Sequence, residues 1–201
     1  MEVQRASFSY DPGVDAVRGV TTALRRGEIV VITGPNGSGK TTLGKMLIGL
    51  LRCTSGAILY RGRDLRTWRI AELALEISYV FQNVEVMFLK STVAQEVKLS
   101  FMRAGRAAEA SPAAITAILA RHDLLAMESA NPLDLSAGEK RRLTFAMMEP
   151  LRLSVLVLDE PVASLDYRGT PSSRRTRRGA PFTATVLRGG QVIELTGHLP
   201  N

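Results

Sequence analysis

The sequence is short of several features that would assign it easily. Its 201 residues hold one cysteine, Cys53, so an internal disulfide is excluded and a reducing compartment is expected. No apolar run comes near the ~20 residues that a membrane span needs. The opening MEVQRASFSYD carries charges and lacks the apolar stretch of a signal peptide. The chain is therefore expected to be soluble, with any membrane role reached through a partner. Acidic residues are missing from one stretch, YRGTPSSRRTRRGAPFTA at 167–184, which carries Arg168, Arg174, Arg175, Arg177 and Arg178. Those five arginines supply most of the net charge of +7. The basicity is thus local and describes no basic face built into a fold. No aromatics interleave with those arginines, so a nucleic-acid tail is the weakest reading of the stretch.

What is present suffices for a globular chain. Hydrophobic residues make up 45%, ordinary for a protein with a sizeable core, and the length suits one domain or a domain with a smaller subdomain. VQRASFSYD alternates as a strand does, PG at 12–13 makes a turn, and AVRGVTTAL reads as a second strand. EIVVITG is a β-branched run expected as a buried parallel strand, and KTTLGKMLIGLL (40–51) has helical spacing. GAILYRGRDL reads as strand and turn, and AELALEISYVFQ ends in a second buried strand. Residues 93–131 read as mainly helical, broken only at Ser111-Pro112. SAGEKRRLTFAMMEPLR is a further helix, and SVLVLDEP is a third short apolar strand ending in acids.

GPNGSGKTT at 34–42 lies between a strand and a helix, the context a phosphate-binding loop requires. Gly34, Gly37 and Gly39 let the backbone curl so that the N–H groups that follow Pro35, those of Asn36 and Ser38 among them, face phosphate oxygens. The following helix adds its positive end. Lys40 is expected to reach the β- and γ-phosphates and Thr41 to ligate Mg²⁺, with Thr42 next to them. A plain glycine-rich turn is the alternative. VLVLDEP places Asp159 and Glu160 at the carboxyl end of a strand, where ligands sit in open α/β sheets. There Asp159 would hold Mg²⁺ through water and Glu160 would act as general base on an attacking water. A helix or turn cap is the bland reading of such a pair.

Together these motifs resemble the ATP-binding subunits of ABC transporters, from about residue 3 to Asp166 and again, weakly, from Thr185. The most specific element is LSAGEKRR at 135–142, directly ahead of the acidic strand. The resemblance implies that two subunits dimerise head to tail. Ser136, Gly138 and Glu139 would then contact the γ-phosphate of the ATP on the partner's loop, although Ala137 stands where the family has glycine. A capping box of Ser136 with Glu139 is compatible with the same residues. The resemblance also implies that Tyr10 stacks on adenine and that Gln82 joins Mg²⁺ and the attacking water to a helical subdomain. VFQNVEVMFLKSTVAQEVKLSF is similar to subunits of cobalt, nickel and vitamin importers of the energy-coupling-factor type. It makes Val86, Met87, Phe88 and Leu89 candidate contacts for a membrane partner, with burial in the subdomain as the alternative.

The fold class expected is therefore α/β: a P-loop NTPase (ABC ATPase) core with an antiparallel β edge, an inserted helical subdomain at about 83–135 and a curtailed C-terminal part. The nucleotide-binding domain is expected over 1–166, an irregular arginine-rich segment over 167–184 and a remnant β-hairpin over 185–201. Only 18 residues separate Asp166 from Thr185. A ~12-residue helix alone spans ~18 Å, so the family's two helices and strand, with its histidine at the γ-phosphate, do not fit there. Neither His122 nor His198 occupies that position. The stretch reads best as the remains of a deletion or frame change, ahead of a lineage-specific loop. An ATPase that drives import of a metal ion or vitamin is expected, as a homo- or heterodimer bound to an integral membrane subunit. It would be cytoplasmic, peripheral on the inner membrane face, with ATP and Mg²⁺ as ligands and no nucleic acid. The alternatives are a degenerate ATP-binding, dimerising module with little turnover, and a soluble ABC protein acting on nucleic acid or the ribosome.

Overall fold

The computed structural model describes residues 1–159, 182–188 and 191–197. The chain divides into two compact units, Met1–Leu73 with Gly169–Asn201, and Ala74–Arg168.

In the first unit a four-stranded antiparallel sheet has the order β2-β1-β4-β5. Strands β1 (Glu2–Asp11) and β2 (Val14–Ala23) form a hairpin through Pro12 and Gly13, whose φ of 85° suits glycine. Val3, Ala6, Val17 and Val20 are its buried face; their spacing of three within each strand follows from register shifts in the pair, the first between Val3 and Ala6. β4 (Ser55–Tyr60) and β5 (Arg63–Asp64) complete the sheet. Gly56 has φ 73°, and a Cβ there would lie 2.2 Å from the Arg5 carbonyl oxygen, so only glycine lets β4 pass the irregular register of β1. The first helix, α1 (Lys40–Leu47), buries Leu43, Met46 and Leu47. It stops at Gly49, whose φ of 74° supplies the left-handed terminus. A short helix, α2 (Ile70–Leu73), ends the unit's first segment.

The second sheet of this unit joins β3 (Ile29–Thr33) to β8 (Phe182–Arg188) and β9 (Gln191–Gly197). β8 and β9 form an antiparallel pair, from Phe182↔Gly197 to Arg188↔Gln191. It begins three residues before the expected Thr185, because Phe182, Thr183 and Ala184 extend the ladder with β3 and β9. The expectation for β3 needs correction. Its pairing is antiparallel, from Ile29↔Leu187 to Thr33↔Thr183, and Ile29 and Val31 are exposed, at 67% and 39%. A buried parallel strand needs neighbours on both edges and cover on both faces, and among the described residues β3 pairs on one edge only.

The second unit holds the parallel pair β6 (Ile77–Val80) and β7 (Val155–Leu158), in register from Ile77↔Val155 to Val80↔Leu158. Between them in sequence lie α3 (Val93–Arg103), α4 (Pro112–Arg121) and α5 (Ala137–Met148). Each has a side-chain N-cap: Thr92 accepts from the Gln95 amide, Ser111 from Ala114 and Ser136 from Glu139. Val93, Val97, Phe101, Ile118, Leu119 and Leu143 are among the buried residues of one apolar core. Residues 93–131 are interrupted in more places than the sequence suggested. α3 ends at Arg103 ahead of Gly105 (φ 69°), and α4 ends at Arg121 ahead of Asp123 (φ 53°). Left-handed residues there stop the helices, whereas Ser111-Pro112 begins one, with proline in its first turn.

β7 is apolar, yet Leu156 and Leu158 are exposed, at 39% and 38%, and among the described residues its only partner is β6. Exposed apolar strands with an unpaired edge promote association. The purified chain is therefore expected to self-associate as its concentration rises, read by light scattering. Ile29→Thr with Leu156→Thr is expected to suppress it, since covering each aliphatic side chain contributes about 1.5–3 kcal/mol. Undiminished scattering by the double variant would place the contact elsewhere.

Candidate functional site

The phosphate-loop motif folds as its residue types require. β3 delivers the chain to Gly34, and α1 leaves from Gly39, a left-handed N-terminal residue with φ 82°. A Cβ on Gly39 would sit 2.2 Å from the Ala16 carbonyl oxygen, so this glycine is demanded by both conformation and space. Gly37 is also left-handed, with φ 81°. The Lys40 ammonium turns back over the loop and donates to the carbonyls of Gly34 and Pro35, both at 2.9 Å. It thereby waits where an anion inside the loop would meet it. α1 has no acidic residue in its first turn, so its positive end stays available to an anion.

Ser38 is buried, and its hydroxyl has no hydrogen-bond partner among the described residues, while its amide donates to Pro35 at 3.2 Å. Asn36 and Thr41 are exposed, whereas Thr42 is buried. Tyr10 is 59% exposed, not a core residue. Its hydroxyl lies 3.3 Å from that of Thr42, and its ring meets Phe8 edge-on at 4.9 Å. Tyr10 thus flanks the first turn of α1 with its ring open to solvent.

In the second unit the Asp159 amide donates to Val80 at 3.0 Å, continuing the β6–β7 ladder. Its carboxylate accepts the Tyr79 hydroxyl at 2.6 Å. Tyr79 is 4% exposed, and burial first, then the bond to Asp159, pushes its pKa up. Sequence reasoning passed over Tyr79, although a phenol hydroxyl in the mainly apolar run ISYVF was its signal. Tyr79→Phe is expected to cost about 1–3 kcal/mol by leaving one carboxylate oxygen without its donor, measured by denaturant unfolding. Because folding raises the phenol's pKa, its contribution is complete below the ordinary value of 10.0 and fades as pH climbs beyond it. The variant's stability is thus expected to fall less steeply above pH 10.

Gln82 is exposed just after β6. Ser136 and Glu139 make a complete capping box. The Ser136 amide and hydroxyl donate to Glu139 Oε2 at 2.8 and 2.6 Å, and the Glu139 amide donates to the Ser136 hydroxyl at 3.4 Å. These bonds from Ser136, side chain first, hold the Glu139 carboxyl below its usual range. Ser136, Ala137 and Gly138 are exposed. A Cβ on Gly138 would meet only Arg142 Nη1, at 3.8 Å. Glu160, Asp166 and His198 lie outside the described residues. His122 Nε2 is 3.3 Å from Glu149 on the surface of the helical unit.

Of the four residues expected to meet a membrane partner, Val86 and Leu89 are exposed, at 62% and 61%. Phe88 instead packs on the helical core and Met87 is partly buried. Two polar features of this region escaped the sequence: Glu96, fully enclosed, and the ion pair of Lys140 with the half-exposed Glu85 at 2.6 Å.

The chain is 37% identical over 169 residues to a protein of Pyrococcus horikoshii named as an ABC transporter ATP-binding protein, covering 84% of this chain and 65% of that one. It is 34% identical, over 84% of its length and 61% of the relative's, to the energy-coupling factor transporter ATP-binding protein EcfA1 of Methanospirillum hungatei. Among solved structures it superposes on CbiO1 of Clostridium perfringens, part of the ABC transporter complex CbiONQ. That match has a TM-score of 0.68 and 31% identity over 82% of this chain and 66% of the other. The chain thus spans about 65% of the length of the Pyrococcus relative. Residues 17–163, more than half of the chain, match the family description ABC transporter, and the chain belongs to that family.

Proposed function

We propose that the chain is the ATP-binding and ATP-hydrolysing subunit of a transporter that imports a metal ion or vitamin. The observation that carries the proposal is the loop from Gly34 to Thr42, with Lys40 folded over it at the start of a helix free of acidic residues. Backbone N–H groups and the helix end bind the phosphates, and Lys40 exchanges its two carbonyl partners for phosphate oxygens. Tyr10 offers an exposed ring for the adenine. Ser136, Gly138 and Glu139 at the start of α5 serve the ATP of a second subunit, homologous or identical. The exposure of Ser136 and Gly138 supports that role.

The donor set suits Mg²⁺. Each of Thr41, Gln82 and Asp159 carries an oxygen of the kind a hard cation takes, which suits the Mg²⁺ that the family resemblance implies. Among the described residues no cluster of three His, Cys, Asp or Glu forms a rival metal site. When bound, Mg²⁺ would neutralise charge on the phosphates. Tyr79 fixes the Asp159 carboxylate through its hydroxyl, and Glu160 takes the proton of the attacking water.

Val86 and Leu89 give an integral membrane subunit an apolar foothold, and the chain works from the cytoplasmic face of the membrane. No helix among the described residues is long and apolar enough to cross it. The import reading draws support from EcfA1 and CbiO1 as relatives.

A second reading, an ATP-binding module with little turnover, is favoured by the engagement of His122 with Glu149 and by the shortness of 167–184. No histidine remains near the acidic strand in sequence to take the γ-phosphate. Phosphate release from ATP by the purified chain decides between the two, with Lys40→Ala as control. Turnover that depends on Lys40 supports the motor. Binding without turnover supports the module, and absence of binding overturns both.

A further inference from the structure

A second concavity lies wholly within the helical unit. A cleft of about 450 Å³ is bounded by the end of α3, by α4 and by the turn that follows α5. Small-molecule sites usually enclose about 300–1,000 Å³. The cleft starts where α5 ends, at Glu149 and Pro150, so the ~18 Å of that helix separate it from Ser136.

Among the described residues that line it, Phe101, Ala114, Ala117, Ile118 and Pro150 are apolar, and the others are three arginines and two glutamates. Arg106 is fixed in place. Its Nε donates to Glu109 Oε1 at 2.6 Å, its Nη2 to Glu109 Oε2 and its Nη1 to the Pro150 carbonyl at 2.7 Å, and its guanidinium lies 5.8 Å from the centre of the Phe101 ring. Those bonds from Arg106 hold the Glu109 carboxyl below its usual range, so its negative charge is present and is taken up by Arg106. Glu149 is likewise shared, accepting from Arg121 and lying 3.3 Å from His122 Nε2. Arg152 is the cation left over. It approaches Glu109 only to 3.9 Å, and its side chain is 73% exposed. Its φ of 50° is left-handed, where a helix terminus usually has glycine or asparagine, so backbone conformation does not account for an arginine there.

We infer that this cleft binds a small organic anion whose acidic head meets Arg121 and Arg152 and whose apolar body lies against Ala114, Ala117 and Ile118. The lining selects that class. A cation meets an excess of guanidinium groups, an uncharged apolar molecule leaves Arg152 without a counter-charge, and a bare anion leaves the apolar lining in water. A guanidinium receives carboxylate and phosphate heads alike through paired N–H donors, so both belong to the class. The site is additional to the phosphate loop and does not depend on the transporter reading.

Octanoate is the probe, titrated into the full chain by calorimetry, with inorganic phosphate and octanol supplying the head and the body alone. Octanoate is expected to bind about tenfold or more tightly than either. Octyl phosphate beside it identifies the head, and the tighter of the two names the natural class. Arg152→Gln is expected to weaken binding about three- to tenfold. Lys98→Gln, which removes a charge at an exposed position of α3 outside the cleft, is expected to leave it unchanged. Ala117→Trp, at an exposed position of α4, fills the cleft and is expected to abolish binding with an unmoved thermal melt. Absence of binding by either amphiphile overturns the inference. So does binding that survives Ala117→Trp, which would assign it to apolar surface elsewhere, and so does an equal loss in Lys98→Gln and Arg152→Gln, which would reduce it to net charge.

Discussion

Lys40→Ala lowers the affinity for MgATP about ten- to hundredfold, since hydrogen bonds to charged groups are worth about 1.5–3 kcal/mol each. The structure explains why the loss is specific to binding. Lys40 donates to Gly34 and Pro35 and to no core group, so its removal leaves the loop's fold to Gly39 and to the burial of Leu43 and Met46. Calorimetric titration with ATP reads the affinity, and a thermal melt of the same sample reads the fold. A fall in affinity with an unmoved melt is the expected pair. Unchanged affinity would remove Lys40 from the phosphate site and with it the main support for ATP binding. Gly39→Ala makes the contrasting variant. Its new Cβ would press on the Ala16 carbonyl, so it is expected to lower stability and binding together.

Leu143→Ala is the substitution expected to cost most in the helical unit, about 2–5 kcal/mol from lost transfer and the cavity left behind. Leu143 is fully enclosed among Val97, Leu119, Ala146 and Met147 of the same core. It also sits one turn along α5 from Glu139, so the core that stabilises the unit also seats the helix start proposed to face a second nucleotide. Its neighbour Thr144 makes the control. Thr144 is equally buried, but its hydroxyl donates at 3.0 Å to the Lys140 carbonyl, an acceptor within its own helix. Thr144→Val keeps the volume and is expected to cost about 1 kcal/mol or less. Denaturant midpoints at unchanged slope read both. A Leu143→Ala protein as stable as the original would mean that α5 is not seated by this core.

Exposure at β3 and β7 bears on how such a chain survives in solution. In each case a strand that reads as continuous apolar sequence carries side chains open to water. Nothing within IVVIT or VLVL distinguishes a central strand from one paired on a single edge. The difference lies in residues far away along the chain, which either supply a neighbour or do not.

By itself the sequence determined the pieces whose geometry is local. The caps Thr92, Ser111 and Ser136, the capping box and the turn of the β1–β2 hairpin all depend on residues a few positions apart. Backbone sterics and short-range hydrogen bonds enforce them wherever they occur. The motifs of the phosphate loop, the acidic strand end and LSAGEKRR likewise made the family legible. Tertiary structure alone decided the rest. Tyr79 meets Asp159 across 80 positions, and Lys140 meets Glu85 across 55. In VMFL at 86–89 it turned two apolar side chains outward and kept the middle pair closer to the core, a choice no period of the sequence encodes. Such contacts follow from how helices and strands pack at a distance, because hydrophobic burial rewards area removed from water and is indifferent to which residue supplies it.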